Sequence, residues 1–237
     1  MAQSYFGTSG FDYPEWKPGF YPPDLKRKEF LRYYASRFCS VELNSTFYRT
    51  PDAKRIKSWS DATPDVFRFT LKAPRNITHI QRLAVPSDSL DYFLQVSSGL
   101  GQRLGALLFQ LPPFFKCDGP RLEAFLSELP RDIPVSLEFR HDSWFNTEIY
   151  EILEQRAAAL CIHDSDDGTT PLVMTSRFVY LRLRRAQYTP ESRSQWQEII
   201  QAWVREGRDV FAYIKHEDNP DAPLIALEFA EKQGQAT

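Results

Sequence analysis

The sequence predicts an α/β chain folded as a single (β/α)8 TIM-type barrel over residues 1–237, and three observations predict it. Segments with strand character alternate with segments of helical apolar spacing along the whole chain, at a repeat of roughly 30 residues, which implies a parallel sheet. Eight strand candidates occur with no Gly-x-Gly-x-x-Gly turn, which favours a closed barrel over an open doubly wound sheet. Polar residues recur at the ends of successive strands, where such a barrel carries its site. No linker composition divides the chain, and it holds no low-complexity segment.

Tyr5 to Ser9 is the first strand, followed by a loop rich in proline and aromatics (Phe11, Tyr13, Pro14, Trp16, Pro18, Phe20, Tyr21, Pro22, Pro23) that is too rigid and apolar for a disordered leader. Phe30, Leu31, Tyr34, Ala35 and Phe38 set a helix over Arg27 to Phe38. Val41 to Tyr48 is the second strand, with Val41 and Leu43 on one face, Glu42 and Asn44 on the other, and a polar, aromatic end. Pro51 stops it, and Asp52 caps a helix through Ser60. Phe67 to Lys72 alternates as the third strand, and a helix runs from about Ser89 to Ser98. Leu104 to Leu111 is a nearly unbroken apolar run, the mark of a strand buried on both faces, with Gln110 its one interior polar residue. Arg121 to Leu129 is helical, Val135 to Arg140 is a strand with the exit loop His141 to Trp144, and Glu148 to Arg156 is helical. Ala158 to His163 is a short buried strand, and Ser165 to Thr170 a loop. Val179 to Arg184 and Val210 to Lys215 are the last strands, with helices over Trp196 to Arg205 and near Leu224 to Lys232. The connection between the sixth and seventh strands is irregular, too short for a full helix.

Composition excludes several classes. With 42% hydrophobic and 25% charged residues, the chain is an ordinary globular one, and a formal charge of −2 provides no bulk field for nucleic acid, although a local basic patch is left open. No apolar run reaches the roughly 20 residues of a membrane helix. Met1-Ala2-Gln3-Ser4 leads straight into a strand with no signal pattern. Cys39, Cys117 and Cys161 are odd in number and lack metal spacing, which fits reduced thiols in a cytoplasmic protein. Cys39 and Cys161 read as small buried hydrophobes before nucleophiles.

The strand ends deliver Glu42 and Asn44, Lys72, Gln110, Glu138 and Arg140, His163 and Asp164, Arg182 and Arg184, and Lys215 with His216 and Glu217. In the third, fifth, seventh and eighth strands these sit on the parity opposite to the aliphatics that face helices. One reading is a ligand site. The other is a satisfied ionic network in which Glu42 and Glu138 pair with Lys72, Arg182 or Lys215. Lys72, Arg75, Arg140, Arg182, Arg184 and Lys215 make a cationic rim suited to phosphate or carboxylate, with Arg75 and Arg184 equally readable as solvated loop charges. Trp16, Tyr48 and Trp144 are aromatics that either stack on a sugar or base or serve packing. Glu42 and Glu138 are candidates for general acid and base. His163, Asp164 and His216 are candidates for a Zn or Mn site, but no tight local metal motif is present, and His163 and Asp164 cannot both point inward from a regular strand.

Several motifs resemble the DUF72 (YecE-like) family: Gly7-Thr8-Ser9-Gly10 with Trp16 and Phe20-Tyr21-Pro22; Val41 through Tyr48; Lys72-Ala73-Pro74-Arg75 with Ile77-Thr78-His79; Phe109-Gln110-Leu111-Pro112-Pro113; Leu137-Glu138-Phe139-Arg140-His141 with Ser143-Trp144; Tyr180-Leu181-Arg182-Leu183; and Tyr213-Ile214-Lys215. They span nearly the whole chain in order. The resemblance implies a TIM-type barrel and brings no reaction with it. It implies that Glu42, Asn44, Lys72, Gln110, Glu138, Arg140 and His141 are shared positions. Arg184-Arg185 stands where the family pattern leads one to expect His-Gly, and Asp12 where an aromatic is usual.

The resulting expectation is an enzyme, of hydrolase or lyase type, acting on a phosphorylated or anionic, sugar- or nucleotide-like ligand at the C-terminal barrel mouth. Glu42 and Glu138 are its catalytic candidates. Asn44, Tyr48, Lys72, Gln110, Arg140, His141, Trp144, Arg182 and Lys215 are its binding candidates. The rivals are a metal-dependent phosphodiesterase or nuclease on the same barrel, and a non-catalytic anion sensor.

Overall fold

Period-two alternation sorts each strand's side chains into one set for the helices and one for the barrel interior, and the observed architecture follows that sorting. The structure is a computed structural model that describes residues 2–215 and 220–232. Its strands are β1 (Ser4–Thr8), β2 (Ser40–Leu43), β3 (Arg68–Lys72), β4 (Leu104–Gln110), β5 (Val135–Glu138), β6 (Ala159–Ser165), β7 (Gly168–Thr169), β8 (Phe178–Leu183) and β9 (Asp209–Ile214). Its helices are α1 (Phe30–Ala35), α2 (Ser45–Tyr48), α3 (Ala53–Ala62), α4 (Asp88–Ser98), α5 (Gly119–Ser127), α6 (Thr147–Gln155), α7 (Pro190–Arg205) and α8 (Ala222–Lys232). Eight parallel strands in the order β1-β9-β8-β6-β5-β4-β3-β2 form a nearly closed barrel flanked by helices, and β7 pairs antiparallel with β6. The predicted barrel is therefore the observed fold.

The outward set packs under the helices: Phe69 and Leu71 of β3, Leu107 and Phe109 of β4, Leu137 of β5 and Leu181 of β8 share one core with Phe93 of α4 and Phe125 of α5. The inward set forms a second cluster of Ala106, Leu108, Ala159, Cys161, Tyr180, Phe211 and Tyr213. Small residues on β4 and β6 leave room for the two tyrosines. The Tyr213 hydroxyl ties the barrel across its width, lying 2.6 Å from Ser40 Oγ and 2.8 Å from Thr70 Oγ1.

Two expectations about local structure need correction. The second strand ends at Leu43, and Asn44 adopts helical dihedrals (φ −78°, ψ −21°) that start the short helix α2. Thr46 causes the turn: its hydroxyl lies 2.6 Å from both Leu43 O and Lys72 O, a local side-chain bond that competes with continued extension. The predicted helix from Arg27 to Phe38 is shorter, a 3-10 turn over Arg27–Glu29 followed by α1.

The irregular connection between the sixth and seventh barrel strands is the β6–β7 hairpin, with no helix before β8. Buried Asp164 replaces that helix as an anchor. It accepts from Thr169 Oγ1 (2.5 Å), Arg185 Nη2 (2.8 Å), the Tyr188 hydroxyl (2.8 Å) and Trp196 Nε1 (3.1 Å), which pins the hairpin and α7 to β6.

The barrel closes least regularly between β1 and β2, which share one bridge, Ser9 to Glu42. The Tyr34 hydroxyl fills the ladder there: it accepts from Thr8 N (2.8 Å) and lies 3.1 Å from Ser40 O, to which it donates. Gly7 is required beside it, because a Cβ at that position would stand 2.1 Å from Ser40 O. Tyr34→Phe removes a buried bridging hydroxyl while keeping the ring, and is expected to lower stability by about 1–3 kcal/mol with the barrel intact, measured by urea unfolding.

Candidate functional site

Three strands deliver three charged side chains to the barrel interior: Glu42 from β2, Glu138 from β5 and Arg182 from β8, all buried. Arg182 spans the two carboxylates. Its Nε donates to Glu42 Oε2 (2.9 Å), Nη2 to Glu42 Oε1 (2.7 Å) and Nη1 to Glu138 Oε2. Tyr180, two residues earlier on the same face, donates its hydroxyl to Glu42 Oε2 at 2.7 Å. Two further arginines reach in from past the strand ends: Arg140 Nη2 pairs with Glu138 Oε1, and Arg184 Nη2 donates to Glu42 Oε1 at 3.0 Å. Three of the four carboxylate oxygens accept hydrogen bonds, and Glu138 Oε1 faces Arg140 as an ion pair with no hydrogen bond among the described residues. Unpaired charges in such a place would cost several kcal/mol each, which this bidentate geometry offsets. Burial alone pushes the Glu138 carboxyl up, but Arg182 and Arg140, helped by His163 and Lys72, outweigh it and hold the group at about 2.

Above this network lies a cavity of about 770 Å³ lined by residues that include Asn44, Tyr48, Lys72, Gln110, Arg140, His163, Arg182, Arg184 and Lys215. Its floor carries the cations Lys72, Arg140, Arg182, Arg184 and Lys215, with the two glutamates behind it, while Asp166 and Asp167 lie exposed at its rim. Burial lowers the Lys72 ammonium to about 8, with Arg182 and Arg140 lowering it further against the opposing pull of Glu138 and Glu42. His163 is lowered to about 4, first by burial, so its imidazole is neutral at pH 7. Arg140 Nε and Asn44 Oδ1, a donor and an acceptor on residues that line the cavity, are buried with no hydrogen-bond partner among the described residues.

The structure thus gathers Asn44, Tyr48, Lys72, Gln110, Arg140, Arg182, Lys215 and His163 around one cavity, with Glu42 and Glu138 beneath its floor. Tyr48 is 84% exposed, at the mouth. Trp144 does not belong there: it is fully buried, stacks on Phe139 with centroids 4.6 Å apart and donates Nε1 to Phe115 O. Trp16 is likewise packed, against Tyr13, Phe20 and Tyr21. His141 accepts from Ser143 N at the start of a 3-10 turn and does not line the cavity. Arg75 is exposed and also stands apart. Asp164 faces away from the cavity, as strand parity requires, and His216 and Glu217 lie outside the described residues. Among the described residues no group of three or more His, Cys, Asp or Glu side chains is placed to hold a metal ion. Burial raises the thiol of fully buried Cys161 well above its ordinary value, and desolvation also raises that of partly buried Cys39, which disfavours the reactive thiolate in both. Arg184, readable from sequence as a loop charge, is an integral partner of Glu42. The Tyr180 bond to Glu42 was missed; its shared parity with Arg182 was the signal.

Arg182→Met leaves two buried carboxylates short of their main partner and is expected to cost about 3–5 kcal/mol. Arg140 still pairs with Glu138 and Arg184 with Glu42 in that variant, so adding Glu42→Gln and Glu138→Gln strips two more arginines of their carboxylates and should lower stability further in a urea titration. Recovery of stability in the triple variant would mean that packing, not charge pairing, sets the worth of this network.

Comparison with other proteins agrees with this architecture. A family model described as protein of unknown function DUF72 matches residues 5–237. UPF0759 protein YunF of Bacillus subtilis (strain 168) is 29% identical over 236 residues, which is 90% of this chain and 82% of that protein. UPF0759 protein YecE of Escherichia coli (strain K12) is 37% identical over 119 residues, 48% of this chain and 43% of that protein. A crystal structure of a DUF72 family protein from Thermotoga maritima superposes with a TM-score of 0.84 at 29% identity, covering 97% of this chain and 98% of that one. A second, from Enterococcus faecalis, shares the fold with a TM-score of 0.81 at 20% identity over 99% and 97% of the two chains. With the family model matched from the first strand to the last residue, this chain belongs to the DUF72 family.

Proposed function

We propose that this chain is an enzyme whose barrel mouth binds a small phosphorylated or otherwise anionic ligand of sugar-like or nucleotide-like chemistry. The observation that carries the reading is the cavity floor, where Lys72, Arg140, Arg182, Arg184 and Lys215 converge with Glu42 and Glu138 buried behind them. Guanidinium forks held in place by buried carboxylates are preorganised donors for an oxyanion. The unspent donor on Arg140 suits a phosphate oxygen, and the unspent acceptor on Asn44 suits a ligand hydroxyl. Tyr48 at the mouth offers a ring face for a sugar or base.

The glutamates take a different part from acid and base in this reading. Both carboxylates are consumed by arginines, and Glu138, held at about 2, is neither a proton donor nor an effective base near pH 7. Their role is to position the arginines. A cytoplasmic setting belongs to the same reading, with Cys39, Cys117 and Cys161 in no disulfide among the described residues.

The test is calorimetric titration of the chain with inorganic phosphate and a panel of sugar phosphates and nucleotides. At least one phosphorylated compound should bind, and Arg140→Ala and Arg184→Ala should each weaken it by about 10- to 100-fold, the worth of a charge-assisted hydrogen bond. Turnover of a bound compound separates an enzyme from a sensor. Failure of every anion to bind, or binding unchanged in both variants, overturns the reading.

A further inference from the structure

We propose that Lys72 is a covalent catalyst of this site, its Nζ condensing with the carbonyl carbon of a small phosphorylated or carboxylated aldehyde or ketone; this rests on the anion-binding reading above and names the substrate class. Lys72 ends β3 and lines the cavity beside Asn44, Gln110 and Arg140. It differs from the arginines around it. Arg140, Arg182 and Arg184 each spend a guanidinium nitrogen on Glu42 or Glu138. Lys72 Nζ makes no hydrogen bond and no carboxylate ion pair among the described residues; it rests 4.2 Å from the centroid of the Phe47 ring. That ring is walled in turn by Tyr48 and His79, each edge-on to it. The ring contact itself favours the ammonium, but burial beside Arg182 and Arg140 works against it, and a desolvated amine next to other cations is the arrangement that produces a nucleophilic lysine.

Its protonation agrees with this geometry. With burial and the neighbouring arginines lowering the ammonium to about 8, roughly a tenth of Lys72 is free amine at pH 7, against a few in ten thousand for an ordinary lysine, by the reference values. Arg140 and Arg184 would take the substrate's anionic group and turn its carbonyl toward Nζ. The amine lone pair then attacks the carbonyl carbon and the π electrons move to oxygen, giving a carbinolamine. Nitrogen expels that oxygen as water, which carries away both amine hydrogens, so one carbonyl and one amine become one C=N bond and one water. A proton from solvent makes the iminium, which withdraws electrons from a bond on the adjacent carbon. The reaction class is therefore cleavage or proton transfer next to a carbonyl.

The experiment treats the full chain with pyridoxal 5′-phosphate, an aldehyde bearing a phosphate, and sodium cyanoborohydride, and maps reduced adducts by peptide mass spectrometry. The Lys72 peptide should be labelled at least about tenfold faster than that of exposed Lys28, following the difference in free amine. The rate should rise with pH and level off above about 8, and excess inorganic phosphate should slow it. In Lys72→Arg the adduct should vanish; because the site is mapped on the unmodified chain, the result does not depend on that variant folding. Labelling of Lys72 no faster than Lys28 overturns the proposal even where phosphate binds. Rapid Lys72 labelling by a phosphate-free aldehyde, with no anion binding by calorimetry, supports the nucleophilic lysine and overturns the anion reading instead.

Discussion

Arg182 is the constraint on which the upper half of this barrel depends. A guanidinium buried to 2% exposure needs its charge matched and its donors met, and the chain does both with Glu42 and Glu138 from two other strands. Because β2, β5 and β8 lie at separate positions around the barrel, this one side chain fixes the spacing of three strand ends. The remaining carboxylate lone pairs draw in Tyr180, Arg140 and Arg184. Once those are placed, Lys72 has no carboxylate partner among the described residues, and the cavity above is electropositive as a result.

The same interaction decides what chemistry the glutamates can perform. Two buried carboxylates facing one cavity invite an acid–base assignment, which requires environments that push their proton affinities apart. Here both are ion-paired to arginines, and Glu138 is held far below neutrality. Groups with proton affinities nearer the working range lie on the cavity instead: Lys72 at about 8 and His163 at about 4. Rigid arginines and adaptable amine or imidazole thus share one mouth with different tasks.

Much of this was legible in the sequence. Parity placed Lys72, Glu138, Arg182 and Lys215 opposite to the aliphatics that face the helices, because a strand has no other way to arrange alternate side chains. The helix-less connection was legible from its length. What was not legible depended on contacts between distant segments. Asn44 to Tyr48 continued a strand pattern, yet the Thr46 hydroxyl, bonded to Lys72 O on the next strand, turns it into helix. Trp144 follows a polar strand end, yet Phe115 and Phe139 claim it for the core. Arg184 and Arg185, adjacent and alike, divide between Glu42 and Asp164 on two sides of β6 and β8, a split that no local rule contains.

The most direct test of the account is the titration of Glu138 itself, followed by carboxyl carbon NMR on glutamate-labelled protein and assigned by loss of the resonance in Glu138→Gln. The network predicts a carboxylate that stays ionised from pH 8 down to pH 4, since its affinity for a proton lies near 2. A Glu138 resonance that titrates between about pH 5 and 8, the range in which a general acid works, would contradict the account and return the glutamate to proton transfer.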